Sequence, residues 1–304
     1  MTDTQITVVV ACHKMRRELP RTLRSLSPQM QRGVEKIPYE ILMLDDGSTL
    51  PFCEPECRRW LPKLRVIPGD SRSHSPVAGV NAAIRDAAGE LIGVLIDGAR
   101  LASPGIISAV AQASKLSERT IILTLGFHLG PKLQQQSILE GYNQRSEDEL
   151  LAASNWTEDG YQLFNISVLA ASSARGWFCP MNESNAIFMR REMWNELGGL
   201  DERFSAPGGG LVNLDLLSRA SQLSDSLIVT LLGEATFHQV HGGVSTNAFD
   251  KSIDDESRAE YESIRGHSFQ TTEYQSVYFG RVPQTTLGIL GESVSLAASR
   301  LCPR

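Results

Sequence analysis

Three apolar runs in this 304-residue chain are each closed by polar residues. His13 follows Ile6–Ala11, Asp45 and Asp46 follow Tyr39–Leu44, and Asp97 follows Leu91–Ile96. Carboxylates at strand ends can hold a divalent metal or the hydroxyls of a ligand, and a histidine can complete a metal shell. Later, Thr236-Phe237-His238-Gln239-Val240-His241 sets two histidines three residues apart after another apolar run. On a straight strand they point to opposite faces, so both reach one site only if Gly242-Gly243 bends the chain. Glu183, Asp215 and Asp201 are the carboxylates placed to act as a general base, Glu183 ahead of Asp215. Arg100 and the run Lys14-Met15-Arg16-Arg17 offer positive charge to an anionic ligand. Gly208-Gly209-Gly210 offers backbone N–H groups, and Trp177-Phe178 offers an aromatic surface on which a ligand can stack. Each residue also has a plainer use as a turn cap, a solvated loop residue or core packing.

The elements between these positions decide whether they meet. Ile6–Ala11, Tyr39–Leu44, Leu64–Ile67, Leu91–Ile96 and Thr120–Leu125 are predicted strands. Helical spacing of Leu19, Leu23, Leu26 and Met30 separates the first two strands, and a helix over Val77–Ala88, stopped by Gly89, precedes the fourth. Ser103-Pro104 reads as a cap and first-turn proline for a helix to about Ser114. Strands and helices alternating at this spacing predict an α/β fold with a mostly parallel sheet, which binds ligands beyond the carboxyl ends of its strands. The stretch from Pro131 to Asn155, rich in Gln and Glu, is a crossover or lid with one or two helices. A helix over Gly160–Ala171 follows, then a strand over Asn185–Met189 and a helix over Arg191–Leu197 stopped at Gly198-Gly199. Next come a helix over Leu211–Ser221, two strands over Leu227–Leu232 and Ala235–Val240, and a weak amphipathic helix over Thr285–Leu301.

Composition narrows the function classes. With 41% hydrophobic and 21% charged residues the chain has globular proportions. A net charge of −6 argues against a general nucleic-acid partner. No apolar stretch reaches the roughly 18 residues of a membrane span, and the N-terminus lacks the features of a signal peptide. Five scattered cysteines fit reduced thiols in the cytoplasm. G-x-G-x-x-G after the first strand, a P-loop and G-x-S-x-G are all absent, which argues against dinucleotide binding, a P-loop NTPase and a nucleophile elbow.

The segments Val8-Val9-Val10-Ala11, Glu40-Ile41-Leu42-Met43-Leu44-Asp45-Asp46-Gly47-Ser48, Ala78-Gly79-Val80-Asn81-Ala82-Ala83-Ile84 and Leu95-Ile96-Asp97 follow one another in order. Together with Asn185-Ala186-Ile187-Phe188-Met189-Arg190-Arg191 and Leu197-Gly198-Gly199-Leu200-Asp201-Glu202-Arg203-Phe204, they resemble family 2 glycosyltransferases over roughly residues 5 to 245. The resemblance implies a GT-A fold, a mostly parallel Rossmann-like sheet flanked by helices with a mixed acceptor-side half. It implies transfer of a sugar, as by a hexosyltransferase, from a nucleotide diphosphate sugar donor to a glycan or other hydroxyl acceptor in polysaccharide synthesis. Ala11, His13, Asp45, Asp46, Asn81, Asp97 and Arg100 would line the nucleotide-sugar pocket. Asp97 with His238 or His241 would hold a divalent metal, Mn or Mg, unless basic residues replace it. Two positions depart from the family pattern. The D-x-D segment reads Asp97-Gly98-Ala99, and the usual base is Asn213, an amide that cannot take up a proton. Asp215 lies two residues further on, about 200° around a helix, and so does not simply replace it. A non-catalytic relative that binds a nucleotide sugar or a partner protein, and a nucleotidyltransferase, remain alternatives. The expected layout is a GT-A-like unit over 1–247, with a nucleotide-binding half at 1–126 and an acceptor-side half at 127–247, then a helical extension over 248–304. Peripheral association with a membrane is left open.

Overall fold

The computed structural model describes residues 5–45, 54–69, 74–95, 97–241 and 251–301. Ten strands among them form one sheet: β1 (Ile6–Cys12), β2 (Tyr39–Asp45), β3 (Arg65–Pro68), β4 (Leu91–Leu95), β5 (Arg100–Ala102), β6 (Thr120–Leu129), β7 (Ser167–Leu169), β8 (Ala186–Arg190), β9 (Leu227–His238) and β10 (Val277–Gly280). Their order is β10-β9-β6-β8-β4-β1-β2-β3, with β5 added to β9 and β7 to β6. β8 runs antiparallel between β4 and β6, while the other neighbours on that path are parallel. This is the expected α/β architecture with a mixed second half.

The uniformly apolar β1 is buried along its whole length because helices cover both faces of the sheet. Its period-2 alternation divides it between two cores. Val9 and Ala11 join α3 (Val77–Asp86) and α8 (Val212–Ser221) on one face. Ile6, Val8 and Val10 join α1 (Leu19–Ser25) and α4 (Ile106–Ala113) on the other. Leu19, Leu23 and Leu26 are fully buried, as their helical spacing demands. The polar crossover holds α5 (Gln134–Leu139) and α6 (Gln144–Ala153).

Several local expectations are corrected. Gly89 does not end α3, which caps at Ala87. A side chain at Gly89 would sit 2.7 Å from the backbone of Gln5 and Thr7, so its role is close approach to β1. Ser103 does not cap α4. Its hydroxyl donates to Glu234 and accepts from Ala235 N–H. Gly160–Ala171 is a 3₁₀ turn followed by β7 and not one helix. The two strands expected over 227–240 are one strand with a register shift against β6 between Leu123 and Leu125. The 248–304 segment contains the helices Lys251–Arg265 and Leu287–Leu301, and also supplies β10 to the sheet edge. β6 runs through residues 126 and 127, so the two expected halves share a strand. Among the described residues no helix is long and apolar enough to cross a membrane.

Candidate active site and metal centre

β1, β2, β4, β6 and β9 point the same way, so their carboxyl ends share one edge. Asp97 lies just past β4. Its Oδ1 accepts Ala99 N–H at 2.8 Å, closing a tight turn into β5. β5 pairs antiparallel with β9 so that Arg100 stands opposite His238, and on the other side of β9 His128 of β6 is in register with the same residue. Asp97 Oδ2 is 3.1 Å from Arg100 Nε and 3.3 Å from His238 Nε2.

β9 ends at His238, and Gln239 N–H still donates to Ala99 O at 2.8 Å in the register of the β5 pairing. Strand alternation stops before His241. Its ring comes back to place Nε2 3.1 Å from His238 Nε2. Gly242 and Gly243 lie outside the described residues. One ligand atom each from Asp97, His238 and His241 falls within a 4.8 Å group. One carboxylate oxygen and two imidazole nitrogens at this spacing fit a divalent transition-series cation such as Mn²⁺ better than Mg²⁺, which prefers an all-oxygen shell.

The charges suit such a site. Burial alone would raise the pKa of Asp97, but the Arg100 guanidinium holds its carboxyl far below the ordinary carboxylate range. Burial pushes His241 down to about 4 and His128 down to about 3, the latter helped by the charge of Arg100. Both rings are thus neutral at pH 7. Arg100 is not a solvated loop residue. It is buried, and its Nη1 donates to Asn185 Oδ1 at 3.2 Å. Asn185 is braced by Ser173, and fits because position 126 is glycine, where a Cβ would lie 2.2 Å from Asn185 Oδ1.

The other expected residues fall in different settings. His13 is exposed after β1, and Ala11 is buried within β1. Asp45 ends β2, two strands from β4, or about 10 Å across the sheet. Asp46 lies outside the described residues. Asn81 is buried with its amide engaged by the Leu200 backbone and Glu202, so its side chain clamps that loop. Glu183 is partly buried beside Arg100 and Asp97, and burial raises its pKa. The next residue, Ser184, donates to Asn213 O at 3.4 Å, which sets the Glu183 turn against the first turn of α8.

Asp215 lies in a salt-bridge cluster. Arg265 Nε and Arg219 Nε occupy its two oxygens at 2.5 and 2.8 Å, and its side chain is 1% exposed. Asp201 is bound by Arg203 and Arg265. Neither has an oxygen left for a substrate proton. Arg17 is engaged by Glu18, Glu147, Asp148 and Val240 O. Gly208 and Gly209 donate to the backbone of His74 and Ala206. Trp177 is fully buried, and Phe178 packs edge-on against Tyr278, so this pair is core packing. Sequence reading missed His128, Gln134 and Asn185 as residues of this site. They are neutral polar side chains, and nothing in their spacing separates them from ordinary structural residues.

Residues 7–98 match the family model described as glycosyl transferase family 2. The resemblance drawn from the motifs is thereby borne out from β1 through Asp97. No curated protein matches the sequence. Among solved structures, TarS of S. aureus superposes with a TM-score of 0.52 at 14% identity, over 88% of this chain and 41% of TarS. This chain thus spans less than half of that protein. TarS 1–349 gives 0.50 at 13% identity over 98% of this chain and 82% of that one. The same fragment in complex with UDP-GlcNAc gives 0.51 at 13% identity, over 88% and 68%. At these identities the likeness is one of fold, and the fold is of the GT-A type.

Proposed function

We propose that this chain is a glycosyltransferase that moves a sugar from a nucleotide diphosphate sugar to a hydroxyl of a glycan or other acceptor. The observation that carries this reading is the meeting of Asp97, Arg100, His238 and His241 at the sheet edge where such folds bind their ligands. Asp45 and Asp46, with His13 and Ala11 alongside, hold the nucleoside. Asp97, His238 and His241 hold a divalent cation, which when bound neutralises the diphosphate as it leaves. Arg100 adds fixed positive charge beside it.

Glu183 acts as the general base. It takes the proton of the acceptor hydroxyl as that oxygen bonds to the anomeric carbon. The bond from that carbon to the diphosphate oxygen breaks, and the nucleoside diphosphate departs with the electron pair. Single displacement of this kind inverts the anomeric centre. Support for Glu183 comes from its raised pKa and from its place against α8, near the amide Asn213. The five scattered cysteines support a cytoplasmic, reducing setting.

Calorimetric titration with UDP- and GDP-sugars, with and without Mn²⁺, tests the reading. UDP-GlcNAc comes first because it is the ligand of the TarS complex. Mn²⁺-dependent binding that is lost in Asp97→Ala is the expected result. Absence of binding by every donor would reject the reading. A second reading, a relative that binds a nucleotide sugar without transferring it, is favoured by the buried Ala99 where the second D-x-D carboxylate would stand. Binding without product formation on an acceptor panel supports that alternative.

A further inference from the structure

Two buried residues of the polar crossover reach the histidine turn. Gln134 opens α5 and is fully buried. Its backbone N–H donates to His128 Nδ1 at 3.0 Å, which pins the residue to β6. Its Oε1 lies 2.6 Å from His238 Nδ1. Glu147 of α6 has a fully buried side chain and accepts Val240 N–H at 2.8 Å. Arg17 donates to the Val240 carbonyl at 3.1 Å, so both sides of the residue before His241 are held.

We propose that Gln134 and Glu147 are positioning residues for the cation site, with Gln134 fixing the tautomer of His238 so that its Nε2 lone pair faces Asp97 and His241. This rests on the metal-site reading above. An amide oxygen only accepts, so the ring nitrogen facing it carries the proton. His238 is then Nδ1–H, and its bare Nε2 stands 3.3 Å from a carboxylate oxygen and 3.1 Å from His241 Nε2. A lone pair aimed at an anion is repelled unless a cation sits between them. In the opposite tautomer Nε2–H would donate to Asp97, and the site would close on itself. Gln134 therefore selects the form of His238 that can ligate. The amide Nε2 of Gln134 is buried without a partner, so among the described residues the contact of Oε1 with His238 is the one hydrogen bond of this amide. Glu147 does the corresponding work for His241 through the backbone, holding the turn that returns its ring to His238.

The test has two independent readouts on the full chain. In metal-free protein, nitrogen NMR of the histidine side chains, with His238→Asn to identify the signal, should show His238 protonated at Nδ1. Gln134→Met should move that proton to Nε2. Separately, Mn²⁺ titrated by electron paramagnetic resonance should bind Gln134→Met about 10- to 100-fold more weakly than wild type. Gln134→Glu keeps an acceptor oxygen and should restore affinity. Glu147→Gln keeps an acceptor for Val240 N–H and should bind Mn²⁺ within a few-fold of wild type, while Glu147→Ala should weaken it. Circular dichroism confirms that each variant is folded. A proton on Nε2 in the wild type, or unchanged Mn²⁺ affinity in folded Gln134→Met, overturns the proposal. If wild type binds no Mn²⁺ while His238 carries its proton on Nδ1, the metal-site reading fails and the tautomer assignment stands.

Discussion

Arg100 and His238 are direct partners in the antiparallel ladder between β5 and β9, and both side chains reach the same oxygen of Asp97. Under the proposed function, the guanidinium of Arg100 and a cation held by His238 would thus share one carboxylate.

Arg100→Met should separate the two contributions. Freed from its guanidinium partner, Asp97 becomes a better ligand, so Mn²⁺ should bind several-fold tighter. The diphosphate loses a fixed charge, so UDP should bind at least about 10-fold more weakly, a loss of about 1.4 kcal/mol. Leaving a largely buried carboxylate without its partner should also lower stability by about 2 kcal/mol, part of which Mn²⁺ restores. Calorimetry and thermal melts with and without the ion check all three. Weaker Mn²⁺ binding would show that Arg100 supports the metal site instead of competing with it.

Glu183→Gln and Asp215→Asn should fail in different ways. The first should lower kcat by roughly 100-fold or more while leaving donor affinity intact, as expected for loss of a base. The second leaves Arg219 and Arg265 facing a neutral amide in a buried site and should cost about 3 kcal/mol of stability. Steady-state kinetics paired with urea unfolding distinguishes them. A folded Glu183→Gln enzyme with ordinary kcat would remove Glu183 from the mechanism.

Glu234 sets a pH dependence of stability. It lies buried beneath α4 and accepts from Ser103, Tyr161 and Gly105. Burial outweighs these contacts and raises its pKa from 4.5 to about 7. Between those values the folded protein keeps a proton that the unfolded chain has lost, so this group makes stability fall as pH rises from about 4.5 to 7. Glu234→Gln should flatten that slope and raise stability at pH 8 by up to roughly 3 kcal/mol. Urea midpoints at pH 5 and pH 8 measure the difference. A slope unchanged in the variant would assign it to another group, of which buried Glu147 is the nearest in kind.

Asn81→Ala should act on the fold. Its amide makes three bonds to Leu200 and Glu202, so the loss should be about 1–3 kcal/mol of stability with donor affinity little changed. A large selective loss of nucleotide binding would return Asn81 to the pocket.

The sheet was legible because β1, β2, β4 and β6 are dominated by apolar residues on both faces, as expected where helices cover both sides. β7 and β10 were not, because three or four half-exposed residues at an edge carry little hydrophobic signal. A strand that passes through Gly233 with a register shift looks like two strands to any periodicity argument. In the site, Asp97, His238 and His241 stood out as polar residues at strand ends, and the family resemblance implied a metal role for Asp97 with one of the histidines. The meeting of the histidines depends on the turn after β9, where Glu147 and Arg17, far away in sequence, hold Val240. Asp215 looked available because Arg265, fifty residues on, gave no local sign of pairing with it.

β8 lies between β4 and β6, so a strand made late in the chain separates two made earlier. Until residues 186–190 have been synthesised, those earlier strands have unfilled ladders facing a gap. A nascent chain stalled before that point should be vulnerable to proteases. For the same reason, fragments cut in the crossover should not fold apart. They should recover a common structure only when mixed, which would make this junction a natural place for a split reporter.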